Sequence, residues 1–394
     1  MFREHTFKLG IERRTVKPTT KEWIENRFGG RGRRKGIRIL LLWLAAVPFF
    51  ALARGDQRVA EGLYTGTVYR LLSAVFGFLS SLIPVSLSEL FILVFPAFLI
   101  WRMIRFALAL RRKAFSWKAG LKRAGFVLAF TVSLVFFLFQ LFCAPNYNRR
   151  TFAQLHGLTV RPSSKEALFQ LCKELAAETN ALRERLPEDE QGVMVSGFDS
   201  PYETAKYAQI YYDELGRQYP LLGGYTVRPK PVGISAGMSY GNITGIYNPF
   251  FFEANVNVDT DDDVIPASMM HELSHYKGFM REGEANFIAY LACHFSGNDE
   301  FDYSGSLLAL QYSVNALYRS NPDEAGEILS SLSAGVQRDR QANRAYWSAF
   351  QTPVAETSRK INDLYLKSNS QAQGVQSYGE MVDLLLAMRE AGGF

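Results

Sequence analysis

The sequence predicts an α+β protein with three apolar, membrane-crossing helices near its N-terminus and then an external, mostly helical domain carrying a small β-sheet. Three observations point to this. Three apolar runs with basic flanks fall within the first 144 residues. Tyr225 to Val258 is rich in Gly, Thr, Ile, Val and aromatics in short runs, the texture of strands. After Gly297 the apolar residues recur at helical spacing to the end.

Charge divides the chain at the same place. Residues 1–144 carry 23 Lys/Arg against 7 Asp/Glu and residues 145–394 carry 21 against 31, so the overall +6 hides +16 followed by −10. With 48% hydrophobic residues a full-sized core is available, and three cysteines exclude a disulfide-dense scaffold. Cys172 and Cys293 both fall in the external domain, and sequence leaves open whether they pair.

Residues 1–38 hold twelve Lys/Arg, including Arg31-Gly32-Arg33-Arg34-Lys35. A nucleic-acid arm would look similar, but beside an apolar run this reads more simply as a cytoplasmic flank drawn to anionic lipid. The first run, Ile39 to Ala53, is just long enough to cross if Arg38 and Arg54 snorkel. Ala51-Leu52-Ala53 also reads as a signal cleavage site, yet the long basic leader favours an uncleaved anchor. Leu71 to Ile83 is too short to cross and suits an interfacial helix. Val85 to Trp101 is the second span, with Pro96 inside it, and Ala124 to Ala144 is the third. Between those two lie Arg102, Arg105, Arg111, Arg112, Lys113, Lys118, Lys122 and Arg123 with no acid among them, which marks that loop as cytoplasmic. Three crossings from a cytoplasmic N-terminus leave the 145–394 domain outside.

In that domain, Ser163 with Glu166 and Ser200-Pro201 with Glu203 are start signals for two helices. Two or three strands follow, with turns expected at Gly237 and Asn248-Pro249. A short helix is then expected from Pro266 to Lys277, opened by proline after the acidic run Asp259 to Asp263 and closed by Gly278. A second begins at about Glu282, where Ala285, Ile288, Ala289 and Ala292 set the period.

These two helices carry the chemistry. In His271-Glu272-Leu273-Ser274-His275 the histidines are one turn apart on one helix face, the spacing two imidazoles need to share a tetrahedral metal ion, zinc by default. Glu272 would stand beside that ion, where a carboxylate can take a proton from water. Glu282 is the favoured third ligand, Glu284 its competitor, and Asn286 lies one turn beyond Glu282 to hydrogen-bond a ligand. Tyr303, Tyr312 and Tyr378 are phenols that could stabilise an oxyanion, with Tyr378 the candidate donor, although each is also an ordinary packed tyrosine. His294, twelve residues along from Glu282, is too distant and is read as structural. Gly245-Ile246-Tyr247 is either a strand that pairs with an extended substrate or an ordinary buried hairpin.

The HELSH run with its downstream ExEAN resembles zincin metallopeptidases of the glutamate-ligand kind, although those carry Asp where this chain has Asn286. The Gly278 turn is similar to that of the extended HExxHxxGxxH motif, but Arg281 occupies the place of its last histidine. More closely, the basic tail, the apolar spans, Asn146-Tyr147-Asn148-Arg149, Gly245-Ile246-Tyr247, Glu253-Ala254-Asn255, HELSH and the Ser377-Tyr378-Gly379-Glu380-Met381 run resemble a bacterial membrane family catalogued as domain of unknown function 3810, over almost the whole chain. The zincin resemblance implies a zincin-like fold in which the edge strand beside the metal helix binds substrate.

The expectation is therefore a multi-pass cell-membrane zinc metallopeptidase with a cytoplasmic N-terminus, acting on a peptide or protein outside the membrane and contacting membrane lipid. The competing expectation is a catalytically silent zinc-binding sensor or scaffold of the envelope. No Gly-rich phosphate loop, zinc-finger spacing or nucleic-acid module is present in the sequence.

Overall fold

A computed structural model of the chain describes residues 36–48, 50–51, 55–161, 164–369 and 379–392. The basic tail up to Lys35, Leu52 and Ala53 of the cleavage-like triplet, Ser163, and Ser377 with Tyr378 lie outside the described residues.

Among the described residues two helices, not three, are long and apolar enough to cross a membrane. Where the first crossing was expected there is a shorter apolar helix, α1 (Gly36–Pro48). At 1.5 Å per residue it is about 20 Å long, short of the roughly 30 Å of a hydrocarbon core. It leans on a longer neighbour: the Trp43 indole donates to Ser133 Oγ at 3.0 Å and stacks on Phe136.

A π-helical stretch (Val59–Tyr69) runs directly into α2 (Arg70–Ser81), which covers the expected interfacial segment. This helix has two faces. Ser73, Gly77 and Ser80 are buried, with the Tyr276 hydroxyl donating to the Ser73 carbonyl at 2.8 Å and no room for a Cβ at Gly77. Leu71, Val75, Phe78, Leu79 and Leu82, at helical spacing, are exposed.

The two long helices form an antiparallel hairpin, α3 (Leu87–Arg111) and α4 (Trp117–Phe142), each started by a serine cap, Ser86 and Ser116. Both extend further toward the basic loop than the expected spans. Arginine and lysine are good helix formers whose stems lie along apolar surface, so the helix continues past the apolar zone.

From the end of α4 the chain passes through a 3₁₀ turn (Ala144–Asn148) and α5 (Phe152–His156) into α6 (Lys165–Arg183), which is capped by Ser164. The Ser200 hydroxyl accepts from the Glu203 amide to start α7 (Pro201–Gln218), as its sequence signal implies. Three short strands follow, β1 (Lys230–Pro231), β2 (Gly245–Asn248) and β3 (Glu253–Val256), in the order β1-β3-β2. β1 is parallel and β2 antiparallel to β3, with Tyr247 opposite Ala254. A short helix, α8 (Ser235–Tyr240), stands where a turn at Gly237 was expected. The sheet lies on α9 (Ile265–Tyr276), and α10 (Glu282–His294) packs against α9. α11 (Asp299–Ser320) crosses α10 and α6; α12 (Pro322–Ser330), α13 (Ala334–Ser348) and α14 (Pro353–Ser368) follow, and α15 (Gly379–Glu390) returns to α10. The core centres on α9 and α10, where Met269, Met270, Leu273, Phe287, Ile288 and Leu291 are fully buried. These two helices are apolar on nearly every side, so they can only be interior.

The hairpin is bolted to the sheet. Glu253 of β3 accepts from the Leu87 and Ser88 amides, both at 3.0 Å, and from Ser88 Oγ at 2.8 Å, placing a carboxylate on the positive end of α3. The same carboxylate pairs with the buried Lys230 ammonium at 2.6 Å. Glu89 in turn accepts from the Gly233 and Ile234 amides at 3.1 and 2.9 Å. Replacing Glu253 by Ala leaves the buried Lys230 ammonium without its counter-charge and removes the acceptor of the Leu87 and Ser88 amides at the start of α3. A loss of about 3–5 kcal/mol is expected, read as a fall in the thermal unfolding midpoint of the detergent-solubilised protein. Adding Lys230→Met to that variant is expected to restore part of the loss.

Candidate metal centre

Residues at i and i+4 on α9 present His271 and His275 on one face, with the imidazole rings 4.6 Å apart and nearly perpendicular. The chain must then reverse to bring a third group back. Gly278 makes this possible: its φ is +86°, and it lies against the Asn146 side chain. Such a backbone costs little only for glycine. Arg281 precedes α10, and Glu282 opens it, carboxylate turned to the histidines. His271 Nε2 lies 3.3 Å and His275 Nε2 3.7 Å from the Glu282 oxygens.

The remaining ring nitrogens are engaged elsewhere. His271 Nδ1 lies 2.7 Å from Asn286 Oδ1 and His275 Nδ1 lies 2.7 Å from the Phe279 carbonyl. Both partners are acceptors, so both Nδ1 atoms carry a proton and both Nε2 atoms turn toward the Glu282 carboxylate, able to offer a lone pair once deprotonated. Ligands about 2.0–2.1 Å from a tetrahedral zinc stand roughly 3.3 Å from one another, so the donor set fits that ion. Burial opposes charge on both imidazoles. For His271 that burial is outweighed by Glu282 and Glu272 together with the Asn286 hydrogen bond, which lift the pKa to about 9, while burial and His271 push His275 down to about 4.

Glu272 does not join this set. It is buried on the sheet side, where the Tyr247 backbone is within hydrogen-bonding reach and Oε2 has no partner. Burial raises its pKa to about 8, against the lowering effect of His271. Gly245 borders it so closely that a Cβ there would sit 2.7 Å from Glu272 Cγ. The sequence motif thus meets the proposed substrate strand directly. β2 is an edge strand, Gly245 and Tyr247 facing the helix and Ile246 51% exposed.

Glu284 turns away from the histidines. Its carboxylate accepts from the Phe152 amide at 2.5 Å and pairs with Arg281 at 3.1 Å, because two residues along a helix is slightly more than half a turn. Tyr303 donates to Asp339 and stands apart from the centre. Tyr312 of α11 is half-buried beside Asn286 and Glu282. Tyr147 and Tyr365, hydroxyls 2.9 Å apart, also lie in the field of Glu282, and sequence reasoning assigned them no role. The one signal for Tyr147 was its place in the Asn146-Tyr147-Asn148-Arg149 run. The three cysteines are free and buried.

A family model described as "Protein of unknown function (DUF3810)" matches residues 64–386. The chain belongs to that family. No curated protein and no solved structure matches it. The DUF3810 match spans the hairpin, the sheet and both helices of the centre.

A second group of carboxylates and histidine in this DUF3810 chain has a different character. His294 Nδ1 is 3.2 Å from both Glu178 and Asp302, tying α6, α10 and α11 together. Asp302 first and Glu178 next hold the imidazole protonated, with a pKa of about 10. A cation between two carboxylates satisfies itself, which supports the structural reading of His294.

Two outcomes follow from this geometry. On a zinc-holding reading of this group, Asn286→Ala, which removes the acceptor that orients His271, is expected to weaken zinc affinity 10–100-fold in chelator competition, whereas folded Glu284→Ala keeps wild-type affinity. At the second cluster the folded pKa is raised, so its stabilisation is complete below the unfolded value of about 6.5 and is lost as pH rises through about 10. His294→Gln should therefore lower stability by about 1.5–3 kcal/mol at slightly acid pH, with the gap to wild type closing above about pH 10 in thermal melts.

Proposed function

We propose that this protein is a membrane-anchored, zinc-dependent metallopeptidase of zincin-like type, with its catalytic domain on the external face of the membrane. The observation that carries the reading is the convergence of His271 Nε2, His275 Nε2 and a Glu282 oxygen, all within 4.8 Å of one another, beside a buried glutamate with an unpartnered oxygen. Few arrangements other than a metal site gather two imidazole Nε2 atoms and a carboxylate within such a distance.

A zinc ion held by these three residues would supply Lewis acidity, polarising a peptide carbonyl and acidifying water. The chain's own residues do the rest. Asn286 and the Phe279 carbonyl fix the imidazole tautomers, and the Gly278 turn sets the carboxylate's approach. Glu272 takes the proton of the attacking water at its free oxygen and returns it to the departing amine. The edge of β2, whose Gly245 clears space for Glu272, pairs with the extended substrate. Tyr312, a phenol beside Glu282 and Asn286, donates toward the developing oxyanion.

Topology supports the external placement by a shorter route than three crossings. The hairpin alone suffices: basic residues cluster at its loop, which the charge rule puts in the cytoplasm, so Leu87 and Phe142 both emerge outside. Whether α1 crosses then changes only the side on which the N-terminal tail lies.

The test is hydrolysis of an unfolded polypeptide by the purified full-length protein in detergent. Activity is expected with zinc and is lost with chelator. Glu272→Gln is expected to keep zinc at one equivalent while losing about 10²–10⁴-fold in turnover. Gly245→Ala, which drives a methyl into Glu272, is expected to lose activity with zinc retained. A zinc-holding sensor without turnover predicts instead that Glu272→Gln behaves as wild type, and a wild-type protein that stays metal-free with ample zinc ends the proposal.

A further inference from the structure

The metal centre sits at the end of the apolar hairpin opposite the basic loop, and it is fastened there from several directions. Cys143, the residue after α4, touches Met280 with its sulfur 3.9 Å from the thioether, and Met280 stands two residues before the ligand Glu282. Arg149, seven residues past α4, pairs with buried Glu61 at 2.8 Å, donates to the Lys277 carbonyl at 3.2 Å and covers the Phe279 ring. Those two contacts hold the turn between His275 and Glu282.

The candidate substrate strand is fastened to the same end. The turn after β2 carries Phe251 against Phe91, one helical turn into α3. Phe252 packs on Phe76 of α2 and on Phe142, the last residue of α4. Phe252 adopts φ +53°, an uncommon backbone for a bulky aromatic, which the surrounding rings hold in place. From Gly245, against Glu272, to the strand end at Asn248 is about 10 Å at 3.4 Å per residue. α2, whose Phe76 joins these rings, exposes an apolar face of the kind an interfacial helix lays on lipid.

Resting on the peptidase reading above, we infer that the substrates are polypeptides anchored in the same membrane and cut in the stretch that emerges from the bilayer. A strand paired along β2 points at one end toward lipid, with space for about three extended residues before the hydrocarbon. A soluble chain passing through the site would have to end or double back within that distance. A chain rising from a membrane helix or lipid anchor already runs in that direction.

The experiment uses the full chain, zinc-loaded, in phospholipid vesicles. The probe is an unstructured reporter of alternating small and β-branched residues, fused to one apolar spanning helix, alongside the same reporter without the helix. Mass spectrometry reads the cut positions. The anchored reporter is expected to be cut within about three to eight residues of its helix. Lengthening it next to the helix should move the cut in sequence but not in distance from the membrane. Cuts that keep their place in the sequence instead, or internal cutting of the free reporter at the anchored rate, overturn the inference and leave the peptidase standing. If neither reporter is cut, both fall. An activity-independent check is a fluorophore at Ile246→Cys, selective because the native cysteines are buried. Quenching by lipids with nitroxide headgroups is expected, and absence of quenching overturns the placement.

Discussion

The contact on which everything else turns is the approach of the Glu282 carboxylate to two imidazoles across the Gly278 reversal. Two buried helices meet at that point, and neither could close the site alone. α9 supplies both histidines on one face, but a helix cannot bend its own next turn back over that face. The positive φ at Gly278 releases the chain, and Asn146, from the segment that follows α4, lies against it. A half-buried carboxylate beside two imidazoles is stabilised by the opposite charge or metal it meets there; without either, its partial desolvation would go uncompensated.

The second constraint is the number of buried polar joins between the hairpin and the domain. Glu253 caps α3 and neutralises Lys230, Asn255 accepts from Ser86, and Arg149 pairs with Glu61. Each pair sits where water cannot replace a lost partner, so the hairpin and the domain cannot swing apart without exposing or orphaning charges. This makes the hairpin part of the frame of the centre. A tether would need no such contacts.

Much of the centre was legible in sequence because its signals are local. His271 and His275 declare themselves by spacing, Gly278 by its position after a helix, and Glu282 by opening the next apolar period. The short sheet was visible in texture, though Gly237 was misread: in a segment of Ser, Ala, Gly and Met, turn and single-turn helix differ by tertiary support. The first apolar run was read as a crossing on composition alone. Its described helix is shorter than a crossing and leans on α4 through Trp43. Hydropathy measures the apolar run and is blind to such a neighbour.

Several runs that carried the family resemblance had no legible role until the fold was seen. Asn146, Arg149, Glu253 and Asn255 prove to be the joins that hold the hairpin to the turn and strand of the centre. The sequence by itself determined the apolar segments, the helical metal motif and the charge asymmetry, since each is written in residues within one or two turns of one another. Only the tertiary structure turned Glu282 and not Glu284 toward the histidines, brought Gly245 against Glu272, and set this group at the hairpin's end. Those outcomes depend on which distant side chains share a buried space, and burial is a property of the packed chain.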